Sequence, residues 1–250
     1  MGRPIRRNGT NLHSLAPMLM PFLTSMRCGM WGGAKTFGRW SMSAIFALAC
    51  LATAYYAFSF LLHSIQPGNS FQAKFAASGW DVPAHFFGAG LALTLVPLQL
   101  SAWVRRRWLR VHRLAGWLSV AAIVIGALSG FSMAFKAHGG AVTGIGFGLL
   151  AVLWFGTTAN GLRLALRGDL AGHRRWMCRS LALTSAAVTL RLMLGIGLGV
   201  LHLPFMTVYV AAAWLSWMVN LAVCEVILRW PSWREAALRD RRSVSSRAVA

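Results

Sequence analysis

Seven histidines and one arginine are the residues of this 250-residue chain whose types and positions suggest chemistry. His112 and His173 each stand at the start of an apolar stretch and each precede an Arg, in Val111-His112-Arg113 and Gly172-His173-Arg174-Arg175-Trp176. Two imidazoles on different helices, entering a bundle at one depth, are the pair a b-type haem requires, one on each side of the ring. Haem b is therefore the cofactor this pair would suit. His63, His85, His138 and His202 fall at the opposite ends of the apolar stretches. There, His85 with His138 or His202 would make a second layer, either a further haem site or a Cu or Zn site, since imidazole suits all these metals. The competing reading is an interfacial His bonded to a carbonyl or a lipid phosphate, which needs no cofactor.

Arg191 is the costlier residue. It interrupts the apolar run Val188-Thr189-Leu190-Arg191-Leu192-Met193, and a charge at the centre of a membrane helix costs ~2.5 to 3.5 kcal/mol on insertion scales. Something must compensate it. Glu225 is the acid that lies inside an apolar run, but it sits near the other end of its helix, so a direct pair is not expected. Backbone carbonyls, the amides of Gln99, Asn160 and Asn220, or a bound anion remain. That anion would be a haem propionate, a quinone head group or a substrate carboxylate. Pro97 and Gln99 suggest a kink that frees carbonyls nearby.

The elements that must position these residues are six helices crossing a bilayer. The chain is 57% hydrophobic and 12% charged with a mean hydropathy of +0.57, whereas soluble domains carry about a quarter charged residues. Apolar runs over Ser41–Leu62, Pro83–Val104, Leu114–Phe135, Ala141–Leu164, Cys178–Leu201 and Phe205–Leu228 each supply the ~20 residues a span requires. No period-two alternation supports a barrel, so each run must satisfy its backbone as a helix. The expected fold is an all-α integral membrane bundle of six spans, 41 to 228, with both ends cytoplasmic. Residues 1 to 40 and 229 to 250 would be cytoplasmic tails, the first disordered or an over-extended start.

Orientation follows from where the 25 basic residues lie. Lys74 and Lys136 are in loops on one side and Arg191 is inside a run, while the other 22 border the opposite side. This is the positive-inside asymmetry, expected of a bacterial inner membrane protein. Arg-rich borders also attract anionic lipid headgroups, so a net charge of +20 needs no nucleic acid as partner. Four Cys with no close pair indicate neither a disulfide nor a thiolate metal site. Five acids leave little for a hydrolase or kinase. Gly144-Ile-Gly146-Phe-Gly148 and Gly195-Ile-Gly197-Leu-Gly199 lie inside spans, so they read as close helix packing rather than phosphate loops.

Ala84-His85, Pro97-Leu98-Gln99, Val111-His112-Arg113-Leu114-Ala115-Gly116, Gly139-Gly140, Trp154, His173-Arg174-Arg175-Trp176-Met177 and Ala186-Ala187-Val188-Thr189-Leu190-Arg191 together resemble the bacterial membrane-protein family catalogued as domain of unknown function 2306. The resemblance covers about residues 80 to 200, with Val96 where that family usually places Gly. It implies a polytopic membrane protein whose polar signature includes His85, His112, His173 and Arg191, and it implies no particular activity. The residues themselves leave three functions open. One is a b-type cytochrome passing electrons to a quinone or another redox partner. The second is an anion- or proton-coupled transporter or solute-binding bundle. The third is a structural membrane subunit.

Overall fold

The structure is a computed structural model that describes the backbone of residues 32–62 and 79–247, and side chains within 43–62 and 79–229. Residues 1–31, the loop that holds His63 and Lys74, and the last three residues lie outside it. By its contacts the chain divides into Met1–Phe46 and Ala47–Ala250. Of the first unit the start of one helix is described. The second unit holds the rest of the bundle.

Eight helices form and no strand is found among the described residues: α1 Gly32–Leu62, α2 Asp81–Leu100, α3 Ala102–Arg107, α4 Leu109–Ala134, α5 Gly140–Leu166, α6 Leu170–Thr184, α7 Ala186–Gly199 and α8 Phe205–Arg247. Among the described residues six segments are long and apolar enough to cross a membrane: Ser43–Leu62, Asp81–Leu100, Leu109–Ala134, Gly140–Leu166, Leu170–Gly199 and Phe205–Arg229. The six spans expected from hydropathy are these six. Helix α8 continues to Arg247, through the stretch expected to be a tail.

Three boundaries differ by four residues or more from the sequence reading: the third span starts at Leu109 instead of Leu114, and capping explains the other two. The second span stops at Leu100 because Ser101 is extended and its hydroxyl accepts Val104 N–H at 3.3 Å, which starts the short α3. The fifth span starts at Leu170 instead of Cys178, because the Asp169 carboxylate accepts Gly172 N–H at 2.8 Å. The Arg-rich turn expected before that helix is its first turns. His112 and His173 consequently lie inside the first turns of α4 and α6.

Small residues set the close approaches, as expected where lipid gives helices no hydrophobic reason to associate. A Cβ on Gly88 of α2 would lie 2.6 Å from Gly126 N and 2.7 Å from Ala122 O of α4. Of the two glycine triplets, Gly144, Gly146 and Gly197 press against Ala134 O, Ala213 O and Val208, while Gly195 and Gly199 face open space. Close packing is thus the role of some of these glycines and not of all. Buried Trp154 stands at the centre among Ala92, Ile123, Ala127, Leu183 and Trp217.

The fifth span is interrupted at Ser185, between α6 and α7. Val188 and Thr189 N–H both turn to Ser185 O, and Ala182 O receives the Ser185 hydroxyl at 2.8 Å. Asn220 of α8 spans the interruption. Its amide donates to Ala182 O at 3.2 Å and to Ser185 Oγ at 3.1 Å, and its carbonyl accepts Thr189 Oγ1 at 3.0 Å. A break in a lipid-embedded helix persists where neighbours take up the freed groups, and Asn220 does this here.

Candidate functional site

Arg191 lies on α7, in the half of the fifth span nearer Gly199. It is about 12 Å from that end at 1.5 Å per residue. Its Nη1 donates to Ala187 O, one turn back on its own helix, at 3.0 Å. Its guanidinium carbon sits 4.7 Å from the centre of the Tyr56 ring of α1, within the range of a cation–π contact. Its Nε is buried with no hydrogen-bond partner among the described residues. The amides proposed as partners are engaged elsewhere. Gln99 donates to His112 O at 3.1 Å, Asn160 accepts from Arg163, and Asn220 serves the break at Ser185. Glu225, as expected, is not the counter-ion. It pairs with Arg179 Nε at 2.5 Å and Nη2 at 3.2 Å, and with Arg229 Nε at 3.3 Å.

Arg191 forms part of the wall of a cavity of about 320 Å³ bounded by α1, α2, α4, α5, α6, α7 and α8. Much of its wall is apolar and aromatic, with Leu93, Trp154, Leu183 and Leu194. Trp154 Nε1 is fixed by Thr184 Oγ1 at 2.8 Å, and that hydroxyl donates to Ser180 O at 2.8 Å. Toward the end of the bundle away from Arg105, Arg106 and Arg107, the wall includes His85, Lys136 and His138. There Lys136 Nζ pairs with Asp81 at 3.0 Å, and Ser132 Oγ donates to the same carboxylate at 2.8 Å. A mainly apolar cavity with a few convergent polar groups is the usual form of a small-molecule site.

His85 is locked to α4. Its Nδ1 lies 2.8 Å from Gly126 O, and since a carbonyl only accepts, Nδ1 carries the proton. A Cβ on Gly130 would come within 2.9 Å of the same ring. In the neutral ring Nε2 is thereby left as an acceptor. At the other end, His173 Nδ1 lies 2.8 Å from Gly161 O of α5 and is the donor for the same reason. His112 Nδ1, by contrast, is buried without a hydrogen-bond partner among the described residues.

The cavity therefore gathers three of the expected site residues, His85, His138 and Arg191, while His112 and His173 lie at the opposite end of the bundle. His202 is exposed in the link between α7 and α8, with a positive φ of 50°. Among the described residues no group of three or more His, Cys, Asp or Glu side chains is placed to hold a metal ion, so His85, His138 and His202 do not assemble one. Sequence reasoning missed Tyr56, Thr184 and the Arg179–Glu225 pair. The signal for the last was present, since both residues lie in adjacent spans toward the same end of the bundle.

No curated protein and no solved structure matches the chain. The family model described as "Predicted membrane protein (DUF2306)" matches residues 82–228, which include every expected site residue from His85 to His202. The cavity, the histidines at both ends and Arg191 are thus features of a multi-pass membrane protein that belongs to this DUF2306 family.

Proposed function

We propose that the chain is a membrane-embedded binding protein, of the transporter or solute-binding type, that holds a small molecule with an anionic head in the cavity beside Arg191. The observation that carries this reading is a half-buried arginine inside a span whose buried Nε has no hydrogen-bond partner and which forms no ion pair among the described residues. Keeping a charge in the membrane costs free energy, and a bound anion would offset that cost with charge-assisted hydrogen bonds. His85 and His138 would serve as the proton-handling groups beside the anion. We further place the Arg-rich ends of the spans in the cytoplasm, at a bacterial inner membrane with anionic headgroups.

Thermal unfolding of the purified protein across a panel of carboxylates tests this reading. A ligand at a hundred times its Kd should stabilise the native protein by about 2.7 kcal/mol, in the parent and in Arg191→Lys but not in Arg191→Gln. Equal stabilisation of the parent and Arg191→Gln would overturn it.

A second reading, haem b held by His112 and His173 in electron transfer with a quinone, draws on one observation. His173 donates Nδ1–H to a backbone carbonyl, the arrangement that orients a ligating imidazole. His112 has no such support. A reduced-minus-oxidised spectrum with haem bands would favour this reading.

A further inference from the structure

Resting on the binding role of Arg191, we infer that the ligand is a lipid-soluble amphiphile, a compact anionic head on a long hydrocarbon chain, which enters sideways from the bilayer between α1 and α7. Tyr56 is part of the cavity wall and stacks on Arg191, yet it is 53% exposed. It lies within a membrane span, so the surface it presents outward is presented to hydrocarbon. On α7 the adjoining Leu192 is 58% exposed and Ile196 is 52% exposed. Arg191 is therefore separated from lipid by one aromatic ring.

A portal between α1 and α7 leaves the packing of α1 on α2 in place. Side chains bridge α1 to α2: Phe60 stacks on Phe86 at 4.4 Å and Phe58 meets Phe87 edge-on at 6.4 Å. A Cβ on Gly90 would stand 3.2 Å from Phe58 and 3.3 Å from Ala57 of α1, tighter than ordinary van der Waals contact, so α1 lies close on α2 there, and one on Gly88 would collide with α4 backbone. At the aqueous end, by contrast, Asp81, Ser132 and Lys136 are bonded to one another beside the cavity. Away from His138, beyond Arg191, the wall includes the apolar Leu93 and Leu183. A water-soluble anion would leave that surface empty of apolar partners, while a hydrocarbon chain would fill it.

The test uses a diazirine-bearing palmitic acid in phosphatidylcholine vesicles holding the full-length protein, with crosslinked peptides identified by mass spectrometry. The inference predicts labelling in α1 and α7, lowered about tenfold or more in Arg191→Gln and restored in Arg191→Lys. Unlabelled palmitate should compete and butyrate should not. If butyrate competes as well as palmitate while the signal still depends on Arg191, the amphiphile is refuted and the anion site stands. Labelling of those helices that is the same in Arg191→Gln and the parent would overturn both.

Discussion

Replacing Gly88 by Ala tests whether one close backbone contact sets the approach of α2 to α4 beside the cavity. The added Cβ would stand 2.6 Å from Gly126 N and 2.7 Å from Ala122 O, both backbone atoms that no rotamer change can move. Relief requires α2 and α4 to part by about 1 Å, and overpacking of this kind costs roughly 1 to 3 kcal/mol. The same displacement would lengthen the 2.8 Å bond from His85 to Gly126 O beyond hydrogen-bonding range. In a chain of this size a 2 kcal/mol loss lowers Tm by about 4 to 8 °C. Gly156→Ala is the matched control, because nothing lies within 4 Å of its Cβ position. It should be neutral or stabilising by up to about 1 kcal/mol, the usual gain from Ala over Gly inside a helix. Thermal unfolding of both variants in one detergent supplies the comparison. Equal Tm values for Gly88→Ala and Gly156→Ala would refute the close contact and the argument built on it.

Asn220→Leu removes three hydrogen bonds across the interruption at Ser185. At about 0.6 kcal/mol for an average bond between membrane helices, it should cost about 2 kcal/mol. A double-mutant cycle with Thr189→Ala should show coupling, and strict additivity would contradict the bridge. Glu225→Gln should destabilise by about 1 kcal/mol, since Arg179 and Glu225 keep some exposure. The swap Arg179→Glu with Glu225→Arg should recover part of that loss, and a swap no better than the single variants would speak against the pair. Reporter fusions after Arg107 and after Asp169 should both report the cytoplasm. An external signal at either position would invert the proposed orientation.

Hydropathy made the number of spans legible, because backbone desolvation forces a helix wherever an apolar run is long enough. Ends were harder to place. Asp169 and Ser101 are capping residues, but each lies beside Arg-rich sequence that reads as a loop when charge alone is weighed. Arg191 was conspicuous because a lone charge in an apolar run has few innocent explanations. Its stacking partner was not, since Tyr56 and Arg191 meet only through the arrangement of α1 against α7. The histidines show the same limit. Sequence sorts them to two ends of the bundle, but whether His85 and His138 share a cavity while His202 turns outward depends on how helix ends are tilted and linked.

The central claim is that Arg191 holds an anionic amphiphile inside the membrane domain. Native mass spectrometry of protein released from mild detergent measures this with no assumption about the ligand. The parent and Arg191→Lys should carry an adduct of one mass that Arg191→Gln lacks, while Arg179→Gln keeps it. Adducts of the same mass and abundance in the parent and in Arg191→Gln would contradict the claim.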